Sequence, residues 1–168
     1  YACPLRCKQV VEVTEGPYRV ERVYGGPEDE TIAAFGSDCG ISDLKAIAKA
    51  NEVCNATGLD TISAGATIAF AMECFERGLI TSADTGGIDL RFGNAEAMVE
   101  MVKKIGERAD GLGYLLGEGC KIASEQLGKG SEAWAVQMKG QEIAAHNWRA
   151  QYISALNYCT GVAAGPNH

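Results

Sequence analysis

The sequence predicts a mainly α fold: an orthogonal multi-helix domain with a short N-terminal β-hairpin. Three observations predict it. Apolar residues recur at helical spacing through most of the chain after Pro27, while period-two alternation is confined to residues 8–24. Glycines stand where apolar helical stretches end, at Gly58, Gly78 and Gly128. The 168 residues are enough for one substantial core, and they contain no repeat, linker or low-complexity segment, so residues 1–168 read as a single domain.

The elements follow in order. Residues 8–24 alternate around Glu15-Gly16-Pro17 and predict the hairpin. Pro27 suits a helix start, and Glu28, Asp29 and Glu30 favour its positive end. Ser42 reads as the N-cap of a helix with Leu44, Ile47, Ala48 and Cys54 on one face; Gly58 and then Leu59 supply a Schellman stop. Asp60 and Thr61 open the most apolar stretch, residues 62–75, apolar almost all round and therefore central. Its small residues Ala64, Gly65 and Ala66 admit a close neighbour. Residues 80–93 read as a loop. Asn94 caps a helix that buries Met98, Met101, Val102 and Ile105 and sets Glu100 opposite Lys104. One helix is predicted over residues 114–127 and a last one over 150–157, with 134–143 open between helix and strand.

Composition narrows the function. The formal charge is -7 and 22% of residues are charged, which argues against nucleic acid, whose phosphates demand basic patches. No apolar run is long enough to span a bilayer. The seven cysteines are an odd number, and Cys54, Cys74, Cys120 and Cys159 fall among apolar helical neighbours. They read as small buried hydrophobes in a reducing compartment, the cytoplasm.

Cys3 and Cys7 stand apart. Closely spaced thiolates hold iron–sulfur clusters, because one short loop must aim several sulfurs at one cubane. Two cysteines cannot complete a four-cysteine site. A further Cys just before Tyr1 would give C-x-x-C-x-x-x-C, so the chain reads as an excised middle segment of a larger enzyme. Val10 stands where a radical-SAM motif would need its third Cys.

An ordered series of motifs resembles the helical second domain of the aldehyde ferredoxin oxidoreductase family. It comprises the Cys3/Cys7 loop, Gly26-Pro27-Glu28-Asp29-Glu30-Thr31, Phe35-Gly36-Ser37-Asp38-Cys39-Gly40 and Ala46-Ile47-Ala48-Lys49-Ala50-Asn51. It continues with Gly58-Leu59-Asp60-Thr61-Ile62-Ser63, Gly65-Ala66-Thr67-Ile68, Arg91-Phe92-Gly93-Asn94 and residues 136–140. The resemblance covers almost the whole chain and implies a tungsten or molybdenum bis-pterin enzyme with a 4Fe–4S cluster.

It also implies site residues. Cys3 and Cys7 would be cluster ligands. Asn55 and Asp60 occupy the ends of a pterin-binding D-x-x-G-L-D element, with Asn55 in place of the first Asp; the plainer role for Asp60 is a helix N-cap. Asp84 and Asp89 have the same spacing and read as a solvated turn. Glu30, ahead of Glu28, is the expected metal-proximal carboxylate; the plainer reading is that both favour a helix N-terminus. His168 follows Val162-Ala163-Ala164-Gly165-Pro166-Asn167 where the family carries a histidine near the metal, though the turn departs from the family's Arg-Gly pattern. His146, in Ala145-His146-Asn147-Trp148-Arg149, reads as structural.

The expected function is therefore oxidation of an aldehyde to a carboxylic acid, with electrons leaving through the cluster to ferredoxin or a similar acceptor. The partners expected are the aldehyde, that acceptor and the remaining domains of the parent chain, and a homo-oligomer is compatible with the sequence. Two alternatives stand beside it: a cofactor-free helical scaffold domain, and a family member that reduces an aromatic acyl thioester.

Overall fold

The computed structural model describes residues 4–5 and 8–161. Eight α-helices dominate these residues: α1 Asp29–Ile32, α2 Leu44–Thr57, α3 Thr61–Glu76, α4 Ser82–Thr85, α5 Ala95–Gly106, α6 Leu112–Leu116, α7 Cys120–Leu127 and α8 Tyr152–Thr160. A π turn, Ala33–Ser37, continues α1 without a break. The fold is mainly α, as the periodicity predicts. The N-terminal hairpin is reduced to one antiparallel bridge, Val13↔Val20, around Gly16-Pro17. A second hairpin joins β1 Gln137–Met138 to β2 Gln141–Glu142.

The long helices form where the pattern places them, and their ends explain why. Asp60 Oδ2 accepts the Ser63 N–H at 2.7 Å and starts α3. Asn94 Oδ1 accepts the Ala97 N–H at 3.1 Å and starts α5. At the end of α2, Gly58 adopts φ +76° and the Leu59 N–H reaches back to the Cys54 carbonyl at 2.9 Å, the Schellman bond that satisfies an otherwise orphaned carbonyl.

Six expectations are corrected. The N-cap of α2 is Asp43, not Ser42: its Oδ1 accepts the N–H groups of Lys45 and Ala46. Leu44 at the head of α2 is exposed, while Ile47, Ala48 and Cys54 are buried. The helix predicted over 114–127 breaks into α6 and α7 at Gly117 and Gly119, and the loop 80–93 contains α4, closed on itself by a capping box between Thr81 and Asp84. Glu100 pairs with Lys103, not Lys104, whose Nζ instead donates to the Thr85 carbonyl at 3.1 Å. Cys159 is exposed on α8, unlike the buried Cys54, Cys74 and Cys120.

α3 is the central helix. It lies against α1, the π turn, α2, α5, α6, α7 and β2. Its Ile68 and Met72 are fully buried, as are Phe35, Ile47, Met98 and Met101 from other segments, and α2 packs along α5 on one side. No helix among the described residues is long and apolar enough to cross a membrane.

Candidate functional site

Glu30 carries the centre of the site. It sits in α1, which is only one turn long, and its side chain is 9% exposed. An isolated buried carboxylate is costly, so its partners matter. They come from the far end of the chain. The Ala145 N–H donates to Glu30 Oε2 at 2.8 Å, and His146 Nε2 stands 3.1 Å from Glu30 Oε1. His146, read from sequence as structural, is thus the immediate partner of the predicted catalytic carboxylate.

Two further titratable groups feel the same charge. Asp38, after the π turn, has its carboxyl pushed above the ordinary range by desolvation and then by Glu30. Tyr158 of α8 is buried, and its phenol is pushed up by desolvation and then by Glu30. Glu28, the rival carboxylate, is exposed at the N-cap of α1 and makes no side-chain cap bond.

Asp38 also stands at a groove of about 390 Å³ on the outer face of α3. Ala66, Ala69 and Phe70 form its floor, with Phe92, Trp134 and Val136 among its walls. Across its rim Arg77 pairs with Glu73 and lays its guanidinium 4.3 Å from the centre of the Trp134 ring, a cation–π contact. Cys39, whose Sγ donates to the carbonyls of Ala34 in the π turn and Gly65 in α3, is a packing residue: burial pushes its thiol up to about 12, so it is protonated near neutral pH.

The second set of candidates lies on the α2–α3 turn. Asn55 and Asp60 are both exposed there. Asn55 Nδ2 donates to the Asn51 carbonyl at 2.9 Å; only a donor fits that position, so the amide oxygen of Asn55 is left as the outward acceptor. Asp60 uses Oδ2 to cap α3, and Oδ1 makes no hydrogen bond among the described residues. One turn inward, the Nδ2 of buried Asn51 has no partner among the described residues. Two acceptors and one unspent buried donor therefore share one helix end, a set suited to a planar ligand that offers both kinds of group. A hydrogen bond of 2.8 Å between Thr31 Oγ1 and Thr61 Oγ1 ties the neighbour of Glu30 to the neighbour of Asp60, so the two candidate sets sit on adjoining elements.

The remaining candidates separate. Asp84 is bound by Thr81, whose hydroxyl and N–H hold its carboxyl below the ordinary range, and Asp89 pairs with Arg91 at the surface. Asp84 thus caps α4 and Asp89 lies in the loop that follows it. Cys3, Cys7 and His168 lie outside the described residues. Sequence reading missed His146 because its partner is remote in the chain, and missed Asp38, which is solvent-exposed, because nothing in its local pattern links it to Glu30.

Comparison with known proteins extends this geometry. The family model "Aldehyde ferredoxin oxidoreductase, domains 2 & 3" matches residues 1–168. A tungsten-containing aldehyde ferredoxin oxidoreductase of Thermococcus kodakarensis is 38% identical over 167 residues, which are 98% of this chain and 26% of that protein. One of Pyrococcus abyssi is 37% identical over 173 residues, with the same coverage. The WOR-like subunit of an aliphatic sulfonate oxidoreductase from Pyrococcus furiosus is 30% identical over 171 residues, 98% of this chain and 27% of that protein. Among solved structures, the active-site complex BamBC of benzoyl coenzyme A reductase, in complex with 1,5-dienoyl-CoA, matches with a TM-score of 0.76 and 27% identity, covering 98% of this chain and 24% of that one. The chain thus spans about a quarter of the length of the relatives it matches.

Proposed function

The chain belongs to the aldehyde ferredoxin oxidoreductase family, and on that premise we propose that it is the pterin- and cluster-binding domain of a ferredoxin-linked aldehyde oxidoreductase. The overall conversion is aldehyde plus water to carboxylic acid, releasing two protons and two electrons. A bound tungsten (or molybdenum) bis-pterin supplies the redox chemistry, accepting those electrons for onward transfer through a 4Fe–4S cluster.

This chain's own residues would do the rest. Asn55 and Asp60 hold pterin donors with the oxygens they keep outward, and Asn51 Nδ2 adds a donor beside them. Asn55 loses the charge of the family's aspartate but retains its acceptor, so the substitution weakens the grip without abolishing it. Cys3 and Cys7 supply two cluster thiolates, and the remaining ligands come from outside this segment. Glu30 takes the proton from the attacking water. Its Oε2 accepts the Ala145 N–H and its Oε1 faces His146 Nε2 at 3.1 Å, which orients the carboxylate while leaving lone pairs for a proton. His168 donates a hydrogen bond to the substrate carbonyl.

One observation carries this reading. The carboxylate that the family resemblance selects from sequence, Glu30 rather than the exposed Glu28, is buried, and its Oε2 accepts an N–H from a segment 115 residues along the chain. The test is the full-length protein purified anaerobically after metal-replete growth. Tungsten, molybdenum and iron are measured by mass spectrometry, and turnover by aldehyde-dependent viologen reduction. The wild type should carry tungsten or molybdenum and iron. Glu30→Gln should keep the metal and lose turnover by about a hundredfold or more, the scale of a lost general base. A metal-free wild type, or a fully active Glu30→Gln, would end the proposal. An aromatic acyl thioester in place of the aldehyde, assayed with reduced viologen, separates the alternative of thioester reduction.

A further inference from the structure

We propose that Glu142 is a positioning residue for Glu30. It fixes the register of a strap, residues 137–146, and the strap delivers Ala145 and His146 to the Glu30 carboxylate. This inference rests on the proton-handling role given to Glu30.

Glu142, in the strap, is a buried carboxylate, 6% exposed. It closes β2 and makes no ion pair among the described residues. Its Oε1 instead accepts the backbone N–H of Cys120 at 2.6 Å and the hydroxyl of Thr67 at 3.3 Å. The first of these is the opening N–H of α7, one of the groups a helix leaves unsatisfied, at its positive end. The second lies in the middle of α3, the helix that floors the groove. Gly119 keeps the space open: a Cβ there would stand 3.0 Å from Glu142 Oε1. One carboxylate oxygen thus pins the strap to two helices at once.

The stretch from pin to clasp is short. Ala145 follows Glu142 by three residues, a span of about 10 Å at full extension. Glu142 and Ala144 are buried while Ala145 is exposed, so this stretch keeps the alternation of a strand. A one-residue slip would turn Glu142 outward and carry the Ala145 N–H away from Glu30. The other end of the strap is tied as well. Lys139 and Gly140, at φ +56° and +91°, form the two-residue turn between β1 and β2, and Lys139 Nζ reaches the carbonyls of Cys159 and Gly161 at the end of α8. The strap therefore runs from a fixed turn through a fixed glutamate to the Glu30 clasp.

The experiment compares the full-length protein with Glu142→Ala, Glu142→Gln and Thr67→Val. Hydrogen exchange of the segment 143–147, read by mass spectrometry, reports the clasp. The ¹⁵N spectrum of His146 reports whether Nε2 carries the proton directed at Glu30. Steady-state kinetics report kcat and KM separately. Glu142→Ala should exchange about tenfold faster in that segment, with α2 and α5 unchanged, and lose the Nε2–H signature. Its kcat should fall about tenfold with KM within about twofold, because the lost contact serves the reacting carboxylate rather than substrate binding. Glu142→Gln keeps an acceptor oxygen in place and should restore protection, spectrum and kcat to within about twofold of wild type. Thr67→Val, of nearly the same volume, should lie between them and carries the test should Glu142→Ala fail to fold. Unchanged exchange and His146 signal in Glu142→Ala, or a Glu142→Gln as impaired as Glu142→Ala, would overturn the proposal. Loss of protection and signal with turnover intact would leave Glu142 as the strap's pin and overturn instead the role given to Glu30.

Discussion

Gly65→Ala tests the closest approach in the core. Gly65 lies inside α3, facing the segment that carries Glu30. A methyl group built there would stand 2.6 Å from Ala34 Cβ, 2.7 Å from the Ala34 carbonyl carbon and 2.9 Å from its oxygen. Carbon atoms pack at about 3.5–4.0 Å, so α3 and the π turn must separate by roughly 1 Å. The obstacle is backbone, which cannot swing aside as a flexible side chain would. Cys39 Sγ, which donates to both the Ala34 and Gly65 carbonyls, straddles the same seam and must move with it. Overpacking of this kind costs about 1–3 kcal/mol. Replacing a helix-interior glycine with alanine returns about 1 kcal/mol. The net expectation is a loss of up to about 2 kcal/mol, which for a urea m-value of about 2 kcal/mol/M lowers the unfolding midpoint by up to about 1 M. Equilibrium urea unfolding followed by tryptophan fluorescence measures it. A midpoint equal to or above that of wild type would refute the reasoning, because the propensity gain would then have gone unopposed.

Two other perturbations follow from the site. Asp60→Ala removes the α3 N-cap, at a cost of about 1 kcal/mol, and should also lower pterin content, assayed by fluorescence of the released oxidised pterin. Asp60→Asn keeps a cap oxygen and isolates the effect of charge; full pterin content in Asp60→Ala would remove Asp60 from the site. Asp38→Asn should change stability in a pH-dependent way. Burial and Glu30 raise the Asp38 carboxyl above the ordinary range, so the folded chain binds that proton more tightly than the unfolded chain. The stabilisation is complete below the unfolded pKa, near about 4, and is lost as pH rises through the folded value. Asparagine mimics the protonated form, so the variant should melt higher than wild type at neutral pH and converge with it in acid; equal melting temperatures at neutral pH would contradict this.

The helices that sequence located well are those whose signals are local. α2, α3 and α5 have long apolar faces, and Gly58, Asp60 and Asn94 bond within a few residues of where they stand. Boundaries failed where two local signals compete. Ser42 and Asp43 are both capable caps, and the choice fell to the residue whose oxygen reaches the Lys45 and Ala46 N–H groups. The 114–127 pattern keeps its apolar period across Gly117 and Gly119, so periodicity did not register the break that two glycines allow. The strap was hidden for a different reason: its turn uses Lys139-Gly140, where the familiar hairpin signal is Asn-Gly or Asp-Gly. In the site, Glu30 and Asp60 were legible through the family resemblance, since each lies in a recognisable string. The Glu30–His146 pair was not, because no period or spacing rule links residues that far apart, and their meeting depends on how α3 and the strap pack.

That separation also orders events in time. The Thr67–Glu142 bond spans 75 residues and the Glu30–Ala145 bond 115, whereas the helix caps close within a single turn. Each distant clasp must pay its loop-closure entropy before it returns any bonding energy. The helical body can therefore assemble first and the strap dock upon it last, so the contacts around the Glu30 carboxylate would be among the final features the nascent chain acquires and among the first it gives up.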